Sequence, residues 1–110
     1  MKGHTTWVEV SRSALLHNLD SLASLMPPQS STRLAPVIKA NAYGHGLIPV
    51  AQICEHWGCE ILCVNEVAEG RRLRESGVSA RLYVVGPTFP SEAEAVIQHN
   101  LELVVFSLAQ

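Results

Sequence analysis

Apolar and polar residues alternate with two periods along this chain. Leu15, Leu19, Leu22 and Met26 recur at helical spacing, with Leu16 and Leu25 widening the stripe. Ser11 and Ser13 are both candidate N-caps and Pro27-Pro28 is a stop, so the spacing predicts a helix over Ser13–Met26. Ahead of it Trp7-Val8-Glu9-Val10 alternates and predicts a short strand; Gln29–Thr32 behind it is loop.

From Leu34 a unit repeats. Leu34–Lys39 is an apolar run that predicts a strand, although Pro36 inside it removes a ladder donor. Leu47, Val50, Ala51, Cys54 and Trp57 form a helical stripe, with Pro49 in its first turn and Gly58 just past its end. Ile61–Val64 is a second strand. Asn65 is expected to cap a helix that runs to Ser76 and stops at Gly77. Leu82–Val85 is a third strand, closed by Gly86-Pro87. Ser91 and Glu94 suggest a capping box for a helix ending near His99. Leu103–Phe106 is a fourth strand, and Ser107 has the character of a further helix cap.

The strand ends near Lys39, Val64, Val85 and Phe106 stand 25, 21 and 21 residues apart. Strand, loop and helix at that period predict parallel βαβ units and an α/β fold. The strands are continuous apolar runs, as expected when both faces of a parallel sheet are covered. An open doubly wound sheet would favour a glycine-rich phosphate turn after its first strand. That turn instead carries Lys39 and Tyr43, which favours a TIM-type (β/α)8 barrel with its chemistry at the carboxyl ends of the strands. Such a barrel needs about 250 residues, so about four βα units are present. We expect a partial barrel, the N-terminal part of a longer protein, with residues 1–12 as a strand segment and 13–110 as the half-barrel. Two edge strands would then lack partners, which invites association.

Composition narrows the functions open to the chain. Of its 110 residues 47% are apolar and 16% charged, with a net charge of −2 and mixed signs. That supports a packed core and offers no basic stripe for nucleic acid or an anionic membrane. The start, Met1–Thr6, is followed by no long apolar segment and no run approaches the ~20 residues of a membrane span, so a soluble, cytoplasmic protein is expected. The three cysteines show no CxxC spacing and predict no disulfide framework. Cys54, His56, Cys59 and Cys63 fit no common zinc spacing and are read as core and surface residues. Arg71, Arg72 and Arg74, interleaved with Glu69 and Glu75, suggest a solvated helix face with paired charges.

The candidate chemistry centres on Lys39. Only two lysines are present, and the other is Lys2. Lysines are ordinarily scattered over a solvated surface, so one at the inner end of an apolar run calls for a reason. Burial disfavours the charged form of an amine, and a neutral amine is a nucleophile toward carbonyls. His45 lies in the same loop without a nameable partner, which suits shaping the loop better than acid–base work.

The segment Val37-Ile38-Lys39-Ala40-Asn41-Ala42-Tyr43-Gly44-His45-Gly46 closely resembles the cofactor-lysine motif of alanine racemases, pyridoxal-phosphate enzymes with an N-terminal (β/α)8 barrel and a C-terminal β domain. Trp7–Val10 with Ser13–Leu19 resembles the opening strand and helix of that family. Asn65–Gly70 through Glu75-Ser76-Gly77 resembles its second βα unit, and Leu82–Gly86 its third strand. The resemblance implies that Lys39 is the Schiff-base lysine and the base on the D face of the substrate α-carbon. It implies that Tyr43 hydrogen-bonds the cofactor phosphate. Val37, two residues before Lys39 and so on its face of a strand, would line the cofactor pocket, as would Val85. It further implies an amino-acid substrate, interconversion of L- and D-alanine for cell-wall synthesis, and a homodimer. The second base, a tyrosine of the partner subunit in the family, would lie outside this chain, as would most of the phosphate cup. This chain alone is therefore expected to be inactive. Three other readings stand beside it: a racemase of another small amino acid such as serine, a non-catalytic pyridoxal-phosphate carrier barrel, and a half-barrel that folds by self-association. The strand at Trp7–Val10 would argue against the carrier, because in racemases it joins the β domain.

Overall fold

The computed structural model describes residues 3–110, so Lys2 lies outside the described residues. Three parallel strands, β1 (Ile61–Val64), β2 (Arg81–Val84) and β3 (Leu101–Leu103), pair side by side in chain order. Helices α4 (Val67–Glu75) and α5 (Ala93–Gln98) are the long connectors that parallel pairing demands, and α1 (Arg12–Ser24) and α3 (Leu47–Trp57) precede β1. The short turn α2 (Lys39–Tyr43) comes between α1 and α3. The coarse expectation of a parallel α/β fold is met.

Local chemistry explains most boundaries. Ser11 Oγ accepts the Ala14 N–H at 3.1 Å, which selects Ser11 over Ser13 as the N-cap of α1. Gly58 closes α3 at φ 115°, a left-handed conformation that costs glycine little. Leu62, Val64, Leu82 and Val84 are fully buried and belong to one core with Leu47, Ala51 and Cys54 of α3 and Val67 and Leu73 of α4. The opposite sheet face carries the register rows Cys63↔Tyr83 and Tyr83↔Glu102. No helix covers it completely: Tyr83 and Glu102 are half-buried. Arg81 and Glu102 join on that face through a two-pronged ion pair at 2.7 and 2.8 Å.

Several expectations are corrected. Trp7–Val10 forms no strand, and it is exposed; a strand requires a neighbour, and no ladder partner stands beside it among the described residues. The Leu34–Lys39 strand is reduced to one bridge, Val37↔Cys63, made by Cys63 N–H to Pro36 O and Ile38 N–H to Cys63 O, each 2.8 Å. In a parallel ladder the preceding rung would need an N–H at position 36, where proline has none. The cap before α4 is Glu66, not Asn65, because Glu69 takes the N–H groups of both. The third strand begins and ends one residue early. The expected Ser91–His99 helix opens as a 3-10 turn, Pro90–Glu92, before α5, with Glu92 reaching back to the Phe89 N–H at 2.8 Å in place of a Ser91–Glu94 box.

The last strand is Leu101–Leu103, not Leu103–Phe106. Its ladder stops where β2 stops: Val104 N–H still reaches Val84 O at 3.1 Å, and beyond that the partner strand gives way to Gly86-Pro87. Residues 107–109 form a turn, not a helix. Among the described residues no helix is long and apolar enough to cross a membrane.

Candidate functional site

The amino acids after the Val37 bridge make the least ordinary backbone in the chain. Ile38 has ψ 21°, so the pleat that would carry Lys39 onto the face of Val37 ends there. Ala40, Asn41, Ala42 and Tyr43 then take φ values of 51°, 57°, 54° and 54°. This is one turn of left-handed helix built without glycine. Each alanine held so costs about 1–2 kcal/mol, so the surroundings must hold the turn.

They hold it at every corner. Ala42 N–H donates to Ile38 O at 2.9 Å and Gly46 N–H to Asn41 O at 2.9 Å. Asn41 Oδ1 accepts the Leu47 N–H at 2.9 Å and so satisfies the first N–H of α3, whose N-cap is Gly46. His45 donates its N–H to Ala42 O at 3.1 Å, and its ring Nδ1 bonds the same oxygen at 2.9 Å; His45 shapes the loop. Glu69 Oε1 accepts the Ala40 N–H at 2.9 Å, while its other oxygen takes the Asn65 N–H at 2.7 Å and the Glu66 N–H at 3.1 Å. Ala42 is buried beneath the turn.

Lys39 and Tyr43 are therefore presented on a heavily hydrogen-bonded loop at the carboxyl end of the sheet. Lys39 is half-buried, less enclosed than the sequence predicted. Tyr43 is 61% exposed, and its hydroxyl makes no hydrogen bond among the described residues. Val37 is 44% exposed beside Cys63. Val85 is half-buried just past β2 and donates its N–H to Val64 O at 2.8 Å. Gly86 follows, packed so closely that a Cβ there would overlap the carbonyl oxygen of Asn65. A lysine side chain and a phenol on one turn, neither hydrogen-bonded among the described residues, suit a ligand carrying an aldehyde and an anionic group, so this half of a pyridoxal-phosphate site fits.

Two grooves flank the turn. One of about 350 Å³ is lined by Val37, Ile38, Ala42 and His45 together with Ser11 and Asn18, but by neither Lys39 nor Tyr43. An apolar one of about 410 Å³ runs between α1 and Leu34, Pro36 and Val37, along the edge that lacks a strand. Sequence reasoning missed Glu69 and Asn41. Asn41 was legible as a residue that tolerates left-handed backbone, whereas Glu69 looked like one member of a helix-surface charge pair. Among the described residues no cluster of His, Cys, Asp and Glu has the shape of a metal site.

Comparison with known proteins gives a consistent answer. Residues 10–110 match the family described as alanine racemase, N-terminal domain. The alanine racemase of Methylacidiphilum infernorum is 36% identical over 102 residues, 93% of this chain and 26% of that protein. The solved alanine racemase of Clostridium difficile in complex with cycloserine superposes with a TM-score of 0.93 at 31% identity, over 99% of this chain and 28% of the other. The histidine racemase of Leuconostoc mesenteroides superposes with a TM-score of 0.81 at 27% identity, over 94% and 27%. The chain spans about a quarter of the length of the relatives it matches.

Proposed function

The chain belongs to the family of alanine racemase N-terminal domains, and from that premise we propose that it supplies the cofactor lysine of a pyridoxal-phosphate-dependent amino-acid racemase. In the full-length protein the reaction is interconversion of L- and D-alanine. The observation that carries this reading is Lys39, presented at the carboxyl end of the parallel sheet at the start of a strained, over-determined turn. Residues 13–110 are then half of a (β/α)8 barrel, and residues 1–12 are assigned to a further β domain. The strandless edge beside Leu34 and Val37 supports that arrangement.

The residues divide the work as follows. Lys39 would hold the cofactor through its aldehyde, and its Nζ would serve as the base on the face of the α-carbon that the D enantiomer presents. The Tyr43 hydroxyl, without a partner among the described residues, would donate to the cofactor phosphate. Val37 and Val85 wall the ring. Bound pyridoxal phosphate supplies an electron sink that makes the α-proton removable. Inversion needs a second base on the opposite face, and none of the residues assigned here supplies one. The family resemblance places that base on a partner subunit, so the active unit in this reading is a homodimer of the longer protein and this chain alone is inactive.

The likeness to a histidine racemase favours a second reading in which the same site serves another amino acid. Incubating the full-length protein with pyridoxal phosphate and single L-amino acids in D2O tests both. Deuterium at the α-carbon of D-alanine, abolished by Lys39→Ala, is the expected result. Turnover of another amino acid in preference to alanine supports the second reading. Turnover that survives Lys39→Ala contradicts both.

A further inference from the structure

Backbone hydrogen bonding leaves Glu69 with more than a helix-capping role. Continuing the parallel ladder one rung past Val37↔Cys63 would send the Asn65 N–H to Ile38 O and the Ala40 N–H to Asn65 O. Neither bond forms. Ile38 O instead accepts the Ala42 N–H, 2.9 Å away, and both diverted N–H groups point at one carboxylate. Glu69 thus replaces a rung of the sheet. Its bond to the Glu66 N–H at 3.1 Å is what any glutamate in the first turn of a helix does. Its bond to Ala40, 29 residues away in sequence, has nothing to do with capping α4.

Ala40 is the first residue of the left-handed turn, at φ 51°, and follows Lys39 directly. A carboxylate bond to its N–H is charge-assisted and fixes the direction of the peptide that carries Lys39. Glu69 is itself fixed, on α4 and by two further N–H donors, so a rigid element sets the loop.

We propose that Glu69 is a positioning residue: by tying Ala40 to the end of β1 it holds Lys39 where the cofactor aldehyde meets it. The proposal rests on reading Lys39 as the cofactor lysine. It assigns Glu69 no contact with substrate or cofactor. Glu66, the neighbouring carboxylate, makes no bond to the turn and is the natural control.

The test uses the full chain and two readouts, at a temperature where circular dichroism shows each variant folded. Amide hydrogen exchange at Ala40 needs no cofactor. Borohydride-fixed pyridoxyl label on Lys39 reports the amine. Glu69→Gln puts an N–H donor against N–H donors, whereas Glu69→Asp keeps a carboxylate for capping α4 but is one carbon too short to span to Ala40. Both variants should raise Ala40 exchange and lower Lys39 labelling by about tenfold, with Glu66→Gln unchanged. A merely structural role would lower the melting temperature and leave Lys39 labelling of the folded chain unchanged, which overturns the proposal. Unchanged Ala40 exchange overturns it as well. Absence of label in the unsubstituted chain sinks the reading of Lys39 and the proposal with it. Equal label in the unsubstituted chain and in Glu69→Asp sinks the proposal alone.

Discussion

Asn41 Oδ1 accepts the Leu47 N–H at 2.9 Å, so the residue at the centre of the lysine turn also satisfies the first N–H of the helix that follows it. Asn41 stands at φ 57°, where asparagine is better tolerated than alanine. Replacing it by alanine removes that bond and adds backbone strain. Asn41→Ala should therefore destabilise the chain by about 1–2 kcal/mol, read from urea unfolding. Asn41→Gly, which loses the bond but not the conformational freedom, should fall between the two.

Arg74 is the other long-range organiser. Its guanidinium donates to the carbonyls of Val78, Ala80, His99 and Asn100 at 2.9, 2.7, 2.9 and 3.1 Å, tying α4 to the starts of β2 and β3. Lysine cannot reproduce that fork. We expect Arg74→Lys to cost about 2 kcal/mol in urea unfolding. Arg71→Ala, which removes only the exposed pair with Glu75 at 3.1 Å, should cost less than about 0.5 kcal/mol.

Acid should loosen the same end of the sheet. The Ser79 hydroxyl, with the Ser79 and Ala80 N–H groups and Arg74 adding to it, holds Glu55 below the ordinary carboxylate value of 4.5, against a partial opposing effect of burial. A depressed folded-state pKa adds stability that is complete above the unfolded value and is lost as pH falls through the folded one. Stability should therefore drop as pH falls below about 4.5, and a Glu55→Gln variant should show a shallower acid limb in urea midpoints measured against pH.

The three cysteines are free and buried. Burial pushes all three thiols up, and Cys59, with the Cys54 thiol beside it, is pushed up to about 11. The thiolate is the reactive form. At neutral pH a thiol reagent should leave the folded chain largely unlabelled and modify all three cysteines once it is unfolded. Rapid labelling of Cys59 in the folded chain would contradict this packing.

The regular elements were readable because local signals decide them. The α3 stripe and Gly58 predict the boundaries observed, as does the apolar run Ile61–Val64. Pro36 announced the trouble in the first strand, since a missing N–H is written in the sequence. The left-handed turn was not readable. Alanine and tyrosine carry no signal for positive φ, and what holds them there comes from Glu69 and Leu47, outside the turn. Arg74 was misread for the same reason: on a helix surface its neighbours in sequence are charges, but its partners in space are carbonyls.

Pyridoxal phosphate, borohydride and peptide mapping can identify the cofactor lysine cleanly, because the chain has only two lysines. One stoichiometric label on Lys39 with Lys2 unmodified is expected. Equal slow labelling of both, or none, would contradict the reading of Lys39 as the cofactor lysine.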